Sequence, residues 1–287
     1  MIVRLRSPAK INLFLKVLSK RKDGYHEIET LFERISLSDY LIFTPARGAI
    51  RVESNSDAIP RGSRNLVYQA AKLLRERCKI KSGVRIRIEK NIPVSAGLGG
   101  GSSNAATALL GLNRLWRLRL PRRELLKAAS SLGSDVAFFV LDTPFALGRG
   151  RGEIVRKIRG PHRWKIWHCL VKPPLAISTQ KAYRGLKPSF LTPPMTDVKM
   201  LFHSIQKGDS KTLSKLLTNS LELSLNKRVN IISEIKKKLA QEGALGCLMS
   251  GSGSSVFGVY RSRKDALKAA RNLRKNKRWR VFVVSTL

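Results

Sequence analysis

The stretch PVSAGLGGGSSNAA, Pro93–Ala106, decides the fold, because its four glycines and three alanines lie between strand-like and helix-like sequence. Before it, Val84, Ile86 and Ile88 alternate with charged residues, which predicts a half-exposed strand. After it, we predict a helix over Ser102–Leu118. Glycine permits positive φ and lets an anion approach the backbone without a Cβ in the way. Since the start of a helix offers free N–H groups and a positive dipole end, the stretch predicts a polyphosphate site.

Two familiar phosphate-binding motifs do not match this glycine-rich stretch. It lacks the Gly-x4-Gly-Lys-Ser/Thr pattern of a P-loop, and no lysine lies inside it. It also lacks the βαβ setting and downstream acid of a dinucleotide fingerprint. A tight turn packed with small residues is the alternative interpretation. Its length and the hydroxyls of Ser102 and Ser103 favour phosphate binding, although the sequence does not decide which serine contacts the ligand or a metal.

A second glycine- and serine-rich segment, Met249–Ser255, lies far along the chain from the first. Alone, it fits a hairpin or a linker equally well. Paired with Pro93–Ala106, it could form the second wall of a nucleotide site.

Candidate catalytic groups are few because acidic residues are scarce. Asp135 follows Gly133 and Ser134 and precedes the apolar run Val136–Leu141, at the predicted N-terminus of a buried helix. A carboxylate there could accept the proton of an alcohol during phosphoryl transfer, or could simply cap the helix. Lys10, between Ser-Pro-Ala and an apolar strand, could supply a cation or be an ordinary solvated lysine. The pair Tyr25-His26 could bind a ring-bearing ligand or pack a turn.

The composition is strongly basic, with 56 Lys and Arg against 19 Asp and Glu and a formal net charge of +37 over 287 residues. Such a charge attracts polyanions, including nucleic acid, without specificity. Because the basic residues are spread along the whole chain, a compositional bias with a solvated surface is the alternative interpretation. The basic helix predicted over Arg263–Lys275 is the best local feature for a nucleic-acid-binding module, but no reader motif accompanies it.

Three widely spaced cysteines fit neither a disulfide framework nor a zinc cluster, and reduced thiols in a cytoplasm are the simplest interpretation. The four histidines are isolated, so we predict no metal site from them, and the metal ligands stay unknown. No apolar run approaches the length of a membrane span, and we expect no secretion signal.

Strands mixed with helices, without regular βαβ units, predict an α+β protein. We predict two early strands, Ile2–Leu5 and Ile11–Leu18, interrupted at Ser7–Lys10. Asn65 is the predicted N-cap of a helix over Leu66–Cys78. The remaining predicted elements are short strands at Leu41–Thr44 and Ile50–Val52, helices at Arg122–Leu132, Lys211–Leu217 and Asn230–Gln241, and strands near Trp164–Val171, Ser255–Tyr260 and Arg280–Ser285. The glycines of 148–152 form a flexible turn and a candidate domain boundary.

In this order, the segments resemble the GHMP kinase superfamily. Its three motifs are similar to Ser7–Asn12, Pro93–Ser103 and Met249–Ser255. Further similarity at Arg21–Glu27 and Leu132–Val136 points to the branch that acts on a cytidyl diphosphate-linked methylerythritol. The likeness extends from residue 2 to the last strand. One departure is Val94-Ser95-Ala96, where many relatives carry more glycine.

The resemblance implies roles for individual residues. It implies a catalytic base at Asp135 with Lys10 as the cation beside it. It implies ATP binding by Asn65, Lys90, Pro93, Gly97, Gly99, Gly100, Gly101, Ser102, Ser103 and Asn104. It implies substrate contacts by Asn12, Tyr25, His26, Tyr183, Gly251, Ser252 and Gly253, with cytosine held between aromatic faces, for which Tyr25 and Tyr183 are the candidates.

The fold that the resemblance implies has an N-terminal nucleotide-binding α+β domain, like that of ribosomal protein S5, over residues 1–152. A smaller ferredoxin-like domain follows over residues 153–287, with the site in the cleft between them. The implied reaction uses ATP with Mg²⁺ and phosphorylates the 2-hydroxyl of the methylerythritol in non-mevalonate isoprenoid biosynthesis. A mevalonate or homoserine kinase is the alternative within the superfamily. We expect a cytoplasmic monomer or homodimer, with no membrane association and at most nonspecific nucleic-acid binding.

Overall fold

The computed structural model describes residues 2–162, 164–186, 198–225 and 230–287. The described strands are β1 (Val3–Lys20), β2 (His26–Ala46), β3 (Ile50–Ser54), β4 (Gly83–Glu89), β5 (Phe145–Arg149), β6 (Ile154–Ile158), β7 (Trp167–Lys172), β8 (Thr218–Asn219), β9 (Gly246–Met249), β10 (Val256–Tyr260) and β11 (Arg280–Ser285). The described helices are α1 (Leu66–Arg77), α2 (Gly100–Leu115), α3 (Arg122–Leu132), α4 (Val136–Leu141), α5 (Thr179–Arg184), α6 (Val198–Lys207), α7 (Ser210–Lys215), α8 (Ser220–Leu223), α9 (Asn230–Gln241) and α10 (Arg263–Leu273).

The first sheet is built on a long antiparallel hairpin of β1 and β2, which pair from Val3 and Phe43 down to Lys20 and His26. Its strand order is β3-β4-β2-β1-β8, and β5 and β6 extend from β2. β3 and β8 pair in parallel with their neighbours, whereas the other pairs are antiparallel. Helices α1 to α4 share one apolar core with this sheet, in which Phe43, Leu109 and Phe138 are buried.

The second sheet has the order β11-β7-β10-β9, and every pair in it is antiparallel. Its four strands, numbered along the chain, therefore run in the spatial order four, one, three, two, which is the ferredoxin-like arrangement. Helices α9 and α10 pack on it around Ile235, Tyr260 and Ala269. The α+β prediction and its ferredoxin-like second unit are confirmed. The boundary at residues 152 and 153 stays a prediction, since β6 and β8 follow it in the chain but pair within the first sheet.

A third apolar cluster joins the two sheets, and it includes Leu13 of β1, Leu170 of β7 and Phe257 of β10. Buried polar groups cross the same interface. His168 Nε2 lies 3.0 Å from Glu33 Oε1, and Thr286 Oγ1 donates to the same oxygen at 2.6 Å. The contact between the sheets is therefore both apolar and hydrogen-bonded. Among the described helices, none combines the length and the hydrophobicity that a membrane crossing requires.

Two strand predictions are wrong. β1 is continuous through Ser7–Lys10, because Pro8 sits at a register irregularity with β2, where the missing N–H of proline is tolerated. β2 extends over His26–Ala46, far beyond the predicted Leu41–Thr44, because its buried polar residues hide the strand pattern. The predicted cap of α1 is confirmed, since Asn65 Oδ1 accepts from Val67 N at 2.9 Å.

Candidate active site

The glycine-rich stretch forms the loop between β4 and α2. Gly99 is the N-cap residue of α2 and has a left-handed backbone, with φ of 64°. No side chain at this position accepts a capping hydrogen bond from the helix. Gly97 and Ser95 also have positive φ, at 73° and 52°. The first N–H groups of α2 are therefore left for a ligand, as an anion site at a helix start requires.

Lys10 and Asp135 meet directly beside this loop. Lys10 Nζ lies 3.3 Å from Asp135 Oδ2 and donates to Asn12 Oδ1 at 2.6 Å. Lys10 and Asn12 point the same way because alternate residues of a strand share a face. The Lys10 side chain is 5% exposed and that of Asp135 is 28% exposed, so a buried cation supports a carboxylate that solvent and ligands can reach.

Helix capping does not account for Asp135. It occupies the N-cap position of α4, but its φ of −82° and ψ of −11° are helical, and its side chain accepts no capping hydrogen bond. The carboxylate is instead turned toward Lys10. Of the two interpretations that the sequence left open, the geometry favours the one in which Asp135 serves the site.

The second glycine- and serine-rich segment packs against the first. Ser250 Oγ donates to Gly97 O at 2.9 Å, and Ser255 N donates to Ala96 O at 3.2 Å. A Cβ on Gly251 would lie 3.2 Å from both Asn12 Oδ1 and Lys10 Nζ. The hydroxyl of Ser252 contacts Thr179 Oγ1 at 2.9 Å. The segment is thus a wall of the same site, and Gly251 allows its backbone to approach the Lys10 ammonium.

The polar residues at the start of α2 divide into two groups. Ser103 Oγ is buried 2.8 Å from Ser7 Oγ, and Asn104 Nδ2 donates to Ser7 Oγ at 2.9 Å. These two side chains face the protein interior. Ser102 is half-buried and makes no side-chain hydrogen bond within the described part of the chain. The geometry therefore favours Ser102 as the hydroxyl for a ligand, and the roles of all three residues stay predictions.

Sequence reasoning missed Asp39, a buried carboxylate behind the glycine-rich loop that accepts several hydrogen bonds. Its carboxylate accepts from Lys90 Nζ at 2.6 Å, from the N–H groups of Asn91 and Ile92 at 2.7 and 2.8 Å, and from Asn104 Nδ2 at 2.9 Å. Burial lowers the pKa of Lys90, although the negative charge of Asp39 opposes that change. A Cβ on Gly100 would lie 2.9 Å from Lys90 Nζ. The Asp39–Lys90 pair therefore holds the loop and places a cation beside the first turn of α2.

We expect Asp39→Ala to lower the free energy of unfolding by about 3–5 kcal/mol, because it leaves the buried Lys90 ammonium and two N–H groups without their acceptor. Urea denaturation measures the change. Asp57→Ala is the matched control, since its side chain is 96% exposed, and we expect a change within about 0.5 kcal/mol. Equal stabilities for the two variants would contradict the role of Asp39.

Two further predicted ATP contacts lie at the edge of the site. Asn65 has both ends of its amide occupied, since Nδ2 donates to Pro60 O at 2.9 Å while Oδ1 caps α1. Pro93 is buried and lines, with Lys90, Lys172 and Arg280, a cavity of about 360 Å³ beside the loop. The contacts of Asn65 and Pro93 with ATP stay predictions.

The aromatic residues lie on the other side of Asp135. The rings of His26 and Tyr183 stack, with centroids 5.2 Å apart and planes at 30°. Burial raises the pKa of Tyr183, and the negative charge of Asp135 adds to that rise. Tyr25 is 54% exposed, and the Arg151 guanidinium lies 4.8 Å from its ring centroid. Tyr183 therefore contacts His26 rather than Tyr25, and a cytosine between Tyr25 and Tyr183 stays a prediction.

The loop between β5 and β6 adds residues that sequence reasoning treated only as a boundary. A Cβ on Gly152 would lie 3.8 Å from Asp135 Oδ1, and Arg151 covers Tyr25. The sequence feature that could have identified this loop as part of the site is Arg151, which lies between two glycines. No group of three or more His, Cys, Asp or Glu side chains in the described residues could hold a metal ion by itself.

Comparisons with known proteins show the family of the chain. The model of the GHMP kinases N terminal domain matches residues 65–143, and that of the GHMP kinases C terminal matches residues 201–278. The chain is 43% identical over 282 residues to a 4-diphosphocytidyl-2-C-methyl-D-erythritol kinase of Pelotomaculum thermopropionicum, covering 96% of this chain and 95% of that protein. It is 42% identical over 273 residues to the kinase of the same name from Alkaliphilus metalliredigens, covering 94% and 92%.

Solved structures give the same result. A crystal structure of a 4-(cytidine 5'-diphospho)-2C-methyl-D-erythritol kinase matches with a TM-score of 0.83 at 35% identity, covering 98% of this chain and 99% of that one. A homoserine kinase of Cytophaga hutchinsonii matches with a TM-score of 0.74 at 19% identity, covering 100% and 94%, which shows the shared fold alone. The chain therefore belongs to the GHMP kinases, and within them to the family of the 4-diphosphocytidyl-2-C-methyl-D-erythritol kinases.

Proposed function

We propose that the chain transfers the γ-phosphate of ATP to the 2-hydroxyl of 4-diphosphocytidyl-2-C-methyl-D-erythritol. The observation that carries the proposal is the contact of 3.3 Å between Lys10 Nζ and Asp135 Oδ2 beside the uncapped start of α2. A phosphate-binding loop and a reachable carboxylate with a cation are the parts that phosphoryl transfer to an alcohol needs. The names of the relatives support this substrate.

In the proposed reaction, Asp135 accepts the proton of the 2-hydroxyl. The freed oxygen attacks the γ-phosphorus in line, the bond to the β-phosphate oxygen breaks, and ADP leaves. Lys10 offsets the negative charge that develops on the oxygen and on the transferred group. Asn12 fixes the Lys10 ammonium, and it is fixed in turn because its Nδ2 donates to Thr30 Oγ1 at 2.8 Å.

The backbone of Gly97–Gly101 and the N–H groups of α2 hold the phosphates of ATP, with Lys90 behind them. The residues present also fit Mg²⁺, which takes few protein ligands and several phosphate and water oxygens. The half-buried hydroxyl of Ser102, which has no side-chain partner in the described part of the chain, is the oxygen that the protein would offer it. When bound, Mg²⁺ would neutralise part of the negative charge of the ATP phosphates.

The aromatic residues recognise the cytidine end of the substrate. Tyr183 presents a ring close to Asp135, so a base stacked there leaves the methylerythritol near the carboxylate. Arg151 carries a positive charge beside Tyr25, where it can meet the diphosphate of the substrate. The backbone of Gly251–Gly253 forms the wall opposite Asn12.

We expect Tyr183→Ala to raise the KM for the cytidyl substrate about 10-fold to 100-fold, because base stacking contributes about 1–3 kcal/mol. The KM for ATP should not change. Tyr183→Phe keeps the ring and is the matched control, with a substrate KM close to that of the unaltered protein. Steady-state kinetics with each substrate varied separately measure both values, and an unchanged KM in Tyr183→Ala would rule out stacking on this ring.

A coupled assay of ADP release tests the substrate. We expect turnover with 4-diphosphocytidyl-2-C-methyl-D-erythritol and none above background with mevalonate or homoserine. Preference for either of the other two alcohols would overturn the proposal. We further propose that the enzyme works in the cytoplasm as a monomer or homodimer, and that its basic surface binds nucleic acid only without specificity.

A further inference from the structure

A second concave site lies at the opposite end of α2 from the glycine loop. It is a cavity of about 580 Å³, larger than the one beside the loop. Its walls come from β1, from the second half of α2, from the turn after α2 and from the ends of α3 and α4. The volume lies within the range of about 300–1,000 Å³ that is usual for small-molecule pockets.

The cavity is lined by many more cations than anions. Its charged side chains are Arg6, Arg114, Arg117, Arg119, Arg122 and one carboxylate, Asp142. That carboxylate is already engaged, because Arg34 donates a hydrogen bond to it. Burial alone would raise the pKa of Asp142, but the hydrogen bond and charge of Arg34, with the charges of Arg122 and Lys157, outweigh burial and lower that pKa.

Three of the arginines have free guanidinium groups. Arg6 donates to Ser38 Oγ at 2.8 Å, and Arg122 donates to Leu141 O. By contrast, the side chains of Arg114, Arg117 and Arg119 make no hydrogen bond or ion pair to any residue in the described part of the chain. Their donors are therefore available to a ligand that enters the cavity.

The turn that carries Arg117 and Arg119 is held by hydrogen bonds between its two ends. Asn113 Nδ2 donates to Leu120 O at 3.1 Å, and Leu120 N donates back to Asn113 Oδ1 at 3.0 Å. Arg117 and Arg119 both have positive φ, at 52° and 54°, which is unfavourable for residues that have a Cβ. The backbone of the turn thus places two exposed arginines beside one cavity.

We propose that this cavity binds the diphosphate group of a small molecule, as a site separate from the glycine loop. One guanidinium group can donate two parallel hydrogen bonds to two phosphoryl oxygens. Several arginines around one cavity therefore suit two linked phosphoryl groups better than one. A single-stranded nucleic acid usually stacks its bases on aromatic rings, and none of the side chains that line this cavity is aromatic.

Equilibrium dialysis with radiolabelled inorganic diphosphate, at about 0.15 M salt, tests the proposal. The test protein is R114Q/R117Q/R119Q. The control is R159Q/R261Q/R271Q, which removes the same charge from exposed arginines that have no side-chain partner in the described part of the chain. Because diphosphate also enters the glycine loop, the assay counts sites: we expect the unaltered protein and the control to bind one equivalent more than the test protein.

The affinity of the extra site should fall at least about 100-fold in the test protein, since charge-assisted hydrogen bonds from three arginines are lost. Circular dichroism confirms that the variant is folded, and Arg117→Gln alone, with an expected loss of about 10-fold, replaces it if the triple variant does not fold. Equal binding by the test and control proteins would overturn the proposal. So would saturable binding of RNA at this cavity with no diphosphate binding there.

Discussion

Asp135→Asn should lower kcat about 1,000-fold while leaving the affinity for ATP nearly unchanged. An amide cannot accept the proton of the substrate hydroxyl, and general-base catalysis contributes about 10²–10⁴-fold. ATP binding should persist because the glycine loop, Lys90 and the start of α2 do not depend on the carboxylate. The amide is nearly the same size as the carboxylate, so a steric explanation does not apply.

Single-turnover kinetics and a separate titration with a non-hydrolysable ATP analogue measure the two effects of Asp135→Asn. Asp265→Asn is the matched control, because Asp265 lies in the first turn of α10, away from the site, and we expect normal turnover. Near-normal kcat in Asp135→Asn would refute the base assignment. Loss of ATP affinity alone would assign the carboxylate to nucleotide or metal binding instead.

Gly97→Ala should lower kcat/KM for ATP about 100-fold. A Cβ at this position would lie 2.1 Å from the backbone oxygen of Ser250, so the two glycine-rich segments must separate. A misplacement of about 1 Å in a catalytic site can cost about 10²-fold in rate. The left-handed backbone of Gly97 adds about 1–2 kcal/mol of strain to the variant.

Gly243→Ala is the matched control, because it introduces the backbone strain of Gly97→Ala without its steric collision. Gly243 has φ of 84°, similar to that of Gly97, but no heavy atom lies within 4 Å of its ideal Cβ. We expect it to lower the free energy of unfolding by about 1–2 kcal/mol without changing kcat/KM. If Gly97→Ala behaves like Gly243→Ala, the contact between the two segments is not required for ATP binding.

The parts of the molecule that sequence reasoning predicted best are those that local patterns encode. The loop before α2 and the cap at Asn65 depend on residues that are neighbours in the chain. The branch of the family followed from several short motifs in a fixed order. The helix after Gly133 was predicted because a continuous apolar run has few alternatives.

The parts that were missed depend on distant partners. Asp39 is buried within β2 because Lys90 and the N–H groups of Asn91 and Ile92, which follow the neighbouring strand β4, lie beside it, and no local pattern reveals this. β1 was divided at Pro8 because its pairing irregularity with β2 was not visible in the sequence. The stacking of His26 on Tyr183 joins residues from opposite halves of the chain.

The buried bridge between Glu33, His168 and Thr286 has a mechanical consequence. The Glu33 carboxylate contacts both His168 and Thr286 among apolar side chains. Sliding of one sheet over the other would break these hydrogen bonds without letting water replace them, so the contact opposes such sliding. Large hinge rotations of one layer against the other are therefore disfavoured. We therefore expect substrate exchange to depend on the turns that carry Tyr25 and Arg151 and on α5, which carries Tyr183, rather than on a rotation of the layers that hold Lys10 and Asp135.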